Sequence, residues 1–216
     1  MSTIQSARRP TTRISSRCCA SSVSALTCAR KVSQIDSQQF VFVDESGTHT
    51  PLTRLYGWTP HDQRATGSVP RNHGKNTTLV MALTPDGPRV PWLIEGAMNT
   101  PTFVWYIAEQ LGPTLRPGQV VVLDNLSVHK AASIRQALAA HGCDLLFLPP
   151  YPPYSPYSPD FTPIEQAFST LKALLRGLGA RTHEALWETV RSALDAITPA
   201  DAHAWFAHVG YVLPAP

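Results

Sequence analysis

Three acidic residues stand where a fold could hold them rigidly. Asp44 closes the apolar run FVFVD, and Asp124 closes a second run, VVVLD. An acid at the end of a buried strand sits at the rim of a sheet, and ligands of open sheets gather at the carboxyl ends of parallel strands. If the two strands are neighbours, the carboxylates converge and one pKa must rise unless a cation joins them. Hard oxygen donors without His or Cys point to magnesium or manganese rather than zinc. Each acid also has a plainer reading: Asp124-Asn125 as a turn or Asx cap, Asp44 likewise, with Glu45 as the functional acid in its place. The third acid, Glu165, falls in the first turn of a helix two residues after Pro163. It would favour the helix dipole there whatever else it does.

The segment before Glu165 is unusual. Between Pro149 and Asp160 the chain reads PPYPPYSPYSPD. Proline donates no ladder hydrogen bond and holds the backbone extended, so the tract reads as a stiff arm that fixes where the helix begins.

The elements that must position these acids follow from periodicity. The chain has 216 residues and 43% hydrophobic content, enough for one domain with a proper core. No apolar run is long enough for a membrane span. QFVFVDES reads as a buried strand, and TRLYGWTP with the polar stretch after it as a strand and hairpin. NTTLVMALTPDG reads as a strand closed by a Pro-Asp-Gly turn, with RVPWLIEGA as its partner. A helix is expected from TPTFVWYIAEQL, with Thr100 as N-cap and Pro101 as first residue. VVVLDN is a buried strand, residues 130–141 an amphipathic helix stopped by Gly142, and CDLLFLP another strand. Ile164, Phe168, Leu171, Leu175 and Leu178 mark one buried helix face, and two further helices follow in HEALWETVRSALDAI and PADAHAWFAHVG. Three strands, then strand–helix alternation, then terminal helices predict an α/β fold with a mixed sheet covered by helices.

Charge is uneven. The formal net charge is +3, but six basic residues and one acid precede Ser37, so the remainder carries twelve basic and fourteen acidic residues. Any nucleic-acid surface must therefore be local. Arg54, Arg64, Arg71 and Lys75 lie between His49 and Thr78 with only Asp62 opposing, and Lys172 and Arg176 share a helix face with Glu165. These are the candidate phosphate-binding residues, with a solvated face as the alternative. His129 either caps the next helix, or contacts a phosphate or metal. Trp58 either packs or stacks on a base, and Trp187 and Trp205 are expected in the core. Cys18, Cys19, Cys28 and Cys143 show no paired spacing and suggest neither a disulfide framework nor a zinc site. Residues 1–36 read as a disordered or non-native leader, with an Arg- and Ser-rich transit peptide as the alternative.

VFVDESG, the Trp of LYGWTP, VVVLDNLSVHK and PYSPDFTPIEQAFSTLK together resemble the catalytic domain of DDE transposases, in particular the mariner-related bacterial insertion-sequence group. The resemblance covers about residues 38–212. It implies a ribonuclease-H-like fold over 37–216. It also implies three acids (Asp44, Asp124 and Glu165) that bind two magnesium or manganese ions, and DNA cleavage followed by strand transfer of a 3′ hydroxyl. Glu45, Asn125 and His129 are possible accessory residues. DNA, as transposon ends and target, is the implied partner, together with a second copy or a protein supplying DNA recognition, since no N-terminal helix-turn-helix precedes the first strand. The implied location is the bacterial cytoplasm, at the nucleoid. A ribonuclease-H-like nuclease with another task, or an inactive remnant that only binds, are the alternatives. The tract from Pro149 to Asp160 is six residues longer than the family's single PPYSPD. Being stiff, the extra residues must bulge out or displace Glu165.

Overall fold

The computed structural model describes residues 35–49, 52–54, 56–67, 76–148, 162–180 and 182–213. Five strands form one sheet: β1 (Phe40–Thr48), β2 (Thr77–Thr84), β3 (Gly87–Glu95), β4 (Val120–Leu123) and β5 (Asp144–Phe147), in the order β3-β2-β1-β4-β5. β1–β2 and β2–β3 pair antiparallel, while β1–β4 and β4–β5 pair parallel. The sheet is therefore antiparallel in its first part and parallel in its second, as the sequence predicts. Among the described residues five longer helical segments, besides short 3-10 turns, cover it. They are α1 (Thr100–Trp105, continuing as a π-helix over Tyr106–Leu111), α2 (Ala132–Ala140), α3 (Pro163–Leu178), α4 (His183–Asp195) and α5 (Pro199–His208).

Strand alternation divides the core in two. Phe40, Phe42, Leu79, Met81, Val120 and Val122 face α3, α4 and α5, where they meet Ile164, Phe168, Leu171, Leu186, Val190 and Phe206. Val41, Val43, Val80, Ala82, Val121 and Leu123 face α1 and α2, against Phe103, Tyr106, Ile134 and Leu138. Successive strand side chains point to opposite faces, so each continuous apolar run supplies both cores at once.

β3 carries one residue more than β2 requires. Ala82 pairs with Arg89 and Val80 with Trp92, so Val90 and Pro91 together oppose Met81. Val90 takes φ 49°, and the Tyr106 hydroxyl donates to its carbonyl at 2.8 Å. This bulge accommodates a proline that no interior ladder position would accept.

Several expectations need correction. Residues 52–54 and 56–67 form no strand or hairpin; they are irregular, with one turn at His61–Asp62. Tyr56 and Trp58 are fully solvent-exposed, so the aromatics have no apolar face to bury and nothing drives strand pairing. The N-cap of α1 is Asn99, not Thr100: its amide oxygen accepts from the Thr102 N–H at 3.0 Å, which moves Pro101 to the second helical position. Residues 127–130 form a separate 3-10 turn, and α2 begins only at Ala132. Leu178, in the last turn of α3 before Gly179 ends it at φ 62°, is 60% exposed and leaves the buried face. Trp187 is 46% exposed rather than in the core, whereas Trp205 packs half-buried on the α3–α5 side.

Candidate active site

Strand pleat separates the two acids that sequence left as rivals. Asp44 has the parity of Phe40 and Phe42 and pairs with Met81, so it faces the α3 side. Glu45 has the parity of Val41 and Val43 and pairs with Val80, on the α1–α2 side. α3 packs on β1 and β2, and it carries Glu165 in its first turn, two residues after Pro163. Asp44, not Glu45, shares its sheet face with Glu165.

Asp124 lies one residue beyond β4. The parallel register pairs Phe40 with Val120 and Phe42 with Val122, and two further steps bring Asp44 alongside Asp124. Asp124 thus stands at the carboxyl end of β4 and Asp44 level with it but midway along β1, which runs on to Thr48 instead of ending at the acid as the sequence suggested. Asp44 Oδ1 accepts the Glu45 N–H at 2.7 Å. Asp124 Oδ1 accepts the Leu126 N–H at 3.1 Å, so the Asx turn foreseen as a plain role is present as well. The sequence-based choice between turn and functional acid is thus not exclusive for Asp124.

His129 does something sequence reasoning did not foresee. It caps no helix: Ala131 occupies the N-cap of α2, with no side-chain bond. The ring is fully buried, with Nδ1 2.5 Å from Asp124 Oδ1 and Nε2 3.1 Å from Glu45 Oε1. Phe103 of α1 lies against it, ring centroids 4.3 Å apart. A carboxylate at each nitrogen requires both to donate, which is the imidazolium form. Neither nitrogen is left for a metal or phosphate. The five-residue spacing from Asp124 was the available signal; the link to Glu45, 84 residues away, was not visible in sequence.

The electrostatics follow from these contacts. Burial pushes the Asp44 carboxyl up from 3.8 to about 7; the Glu45 N–H opposes this, while the Asp124 and Glu45 charges add to it. Burial also acts to raise Asp124, but the His129 and Leu126 bonds outweigh it and hold the group below its ordinary value. For His129 burial favours the neutral ring, yet the bonds to Asp124 and Glu45 prevail and lift it to about 9. The two acids thus sit on opposite sides of their common reference.

Glu165 is half-buried, and its backbone N–H reaches the Thr162 carbonyl at 3.3 Å. Among the described residues, no three His, Cys, Asp or Glu side chains are gathered closely enough to hold a metal ion. Asn125 follows Asp124 in the turn and is half-buried. Of the basic candidates, Arg54 reaches the end of α3 beside Gly177, and Arg64 is exposed. Lys172 and Arg176 are half-buried on the same stripe of α3 as Glu165. Trp58 is exposed, against the expectation that it packs. Arg71, Lys75, residues 1–34 of the leader and the tract from 149 to 160 lie outside the described residues, and with them the expectation that the extra residues bulge out or displace Glu165. Among the described residues no helix is long and apolar enough to cross a membrane.

No curated protein matches the sequence significantly. Solved structures do. The Mos1 transposase paired-end complex with left transposon end aligns with a TM-score of 0.63 at 16% identity, covering 97% of this chain and 64% of that one. The Mos1 mariner paired-end complex with Mn gives 0.62 at 16% identity, with the same coverage. The Mos1 catalytic domain alone gives 0.51 at 15% identity, covering 88% and 91%. The chain thus spans about two thirds of the transposase chain in the paired-end complexes, and its mixed sheet flanked by helices is the ribonuclease-H-like fold. Residues 39–186 match the family described as DDE superfamily endonuclease, and the chain belongs to that family.

Proposed function

We propose that this chain is a transposase catalytic domain, spanning 37–216, which cleaves DNA and transfers the freed 3′ hydroxyl to a new strand. One observation carries the reading: Asp44, midway along β1, and Asp124, just beyond the carboxyl end of β4, are presented side by side on adjacent parallel strands. Their chemistry fits a hard divalent cation. Each uses only Oδ1 in its hydrogen bonds among the described residues, and burial together with the neighbouring charges disfavours a bare Asp44 carboxylate, which a cation would relieve. Asp44, Asp124 and Glu165 would hold magnesium or manganese, two ions by family resemblance. Such ions supply charge stabilisation at the attacked phosphate and an activated oxygen nucleophile. Asp124 is ionised at neutral pH, and β1 and β4 hold the two carboxylates without rearrangement. DNA is the proposed substrate, with Arg54, Arg64, Lys172 and Arg176 as phosphate contacts and Arg71 and Lys75 as further candidates. A second copy or a partner supplying end recognition completes the assembly.

A second reading, an inactive copy that only binds, is favoured by the absence of a gathered three-residue metal cluster among the described residues. Incubation of a labelled duplex with the protein and Mn²⁺ decides between them. The expected result is nicked and strand-transfer products that vanish in Asp124→Ala and in Glu165→Ala. Binding without any product supports the inactive copy. Nicking without strand transfer supports a nuclease with another task.

A further inference from the structure

We propose that His129 is a positioning residue, tying Glu45 to Asp124 and so fixing the direction in which Asp124 presents its second carboxylate oxygen. The inference rests on the proposed role of Asp124 as a cation ligand. Asp124 lies beyond the last paired residue of β4, where no ladder bond fixes it. A side chain there has rotational freedom unless something holds it. Two donors do, the Leu126 N–H and His129 Nδ1, and both meet Oδ1. Among the described residues Oδ2 takes no hydrogen bond, so it is the oxygen left to face a ligand.

The ring that does the holding is itself constrained. His129 is fully buried, set in the short turn Ser127–Lys130 and braced by Phe103. Its far nitrogen meets Glu45, which is rooted in β1, and whose side chain is only 12% exposed. Glu45 belongs to the strand of Asp44 but to the opposite face. The contact therefore runs from β1, through the imidazole, to the carboxylate at the end of β4. The spacing of Asp44 and Asp124 is set twice, once by the parallel ladder and once by this side-chain link. Partners of this kind orient metal ligands, and their loss commonly weakens metal affinity by about 10–100-fold.

Two near-isosteric substitutions separate the two bonds. An asparagine amide nitrogen falls near the place of Nδ1 and keeps the donor to Asp124; a glutamine nitrogen falls near Nε2 and keeps the donor to Glu45. Mn²⁺ affinity is measured on the full chain by the loss of the free-ion electron paramagnetic resonance signal, for the parent, Asp124→Ala, His129→Asn and His129→Gln, with folding checked by circular dichroism. The expected pattern is an affinity loss on the order of 10–100-fold in His129→Gln, which releases Asp124, and a smaller loss in His129→Asn, which still holds Asp124 but lets go of Glu45. Parent-like affinity in both His129 variants, with Asp124→Ala still abolishing binding, would overturn the positioning role alone. No binding by the parent, or unchanged binding by Asp124→Ala, would overturn the ligand reading and this inference with it. If either His129 variant fails to fold, nitrogen-15 NMR of the parent replaces the comparison. Mg²⁺ is expected to move the His129 Nδ1 resonance more than Nε2, and an unmoved Nδ1 counts against the proposal.

Discussion

Asp44 and Glu45 are consecutive, yet the pleat sends one to α3 and the other to His129. Titration of these groups gives a testable stability profile. The Asp44 carboxyl rises from 3.8 to about 7 on folding, so between those values the folded chain keeps a proton the unfolded chain has released. Its contribution therefore falls as pH rises from about 4 to 7. His129, raised from 6.5 to about 9, contributes fully below pH 6.5 and loses that contribution as pH climbs through 9. Asp124 works in the other sense, its contribution present above 3.8 and lost as pH falls through its depressed value. Thermal unfolding without metal should show Asp44→Asn gaining on the parent as pH rises from 4 to 8, by a few degrees at neutral pH. The same substitution should remove the stabilisation that Mn²⁺ gives the parent. A parallel pH course in both proteins would contradict this account. His129→Ala should cost on the order of 3 kcal/mol, because it leaves two half-buried carboxylates without their shared donor and a cavity where the ring was packed. Asp44 and Asp124 were legible because apolar runs ending in Asp are short-range patterns, although β1 continues past Asp44 to Thr48. His129 was not, because its role depends on burial and on a partner from another strand.

At the scale of elements, strands and helices with strong internal patterns fell where the sequence put them, while boundaries depended on local hydrogen bonds. Asn99 and Thr100 show the difference. Both are capping residues by type, and only backbone geometry decides which takes the post. Asn99→Ala should lower stability by about 1 kcal/mol in denaturant unfolding, and Thr100→Ala by much less. Thr198 and Asp201 form a reciprocal capping box on α5, with bonds of 3.2 and 2.9 Å, so Thr198→Ala should cost a similar amount. The stretch 52–67 misled because its aromatics suggest a strand while Pro60 and the polar residues leave no face to bury. Where burial is decided by tertiary surroundings, as for Trp58 and Trp187, amphipathic spacing was insufficient.

At the scale of the molecule, charge is local, and so is any DNA surface. Lys172 and Arg176 extend one stripe of α3 away from Glu165, and Arg54 reaches the end of the same helix. If both α3 cations contact phosphates, the Lys172→Ala and Arg176→Ala double variant should flatten the dependence of log affinity on log salt by about 1.8 in slope for a duplex. An unchanged slope would assign them to a solvated face. The family and the fold were readable from the sequence as a whole, because motifs spread over most of the chain had to agree.

The bulge in β3 bears on how copies of this molecule can meet. β3 is an outer strand of the sheet, and two of its nine residues, Pro88 and Pro91, have no N–H to offer. Val90 between them is turned out of regular geometry. Such a border gives an incoming strand no continuous row of donors, so growth of the sheet from this side into fibrils or strand-sharing dimers is blocked. Any meeting of copies through strand pairing is then directed away from this border of the sheet.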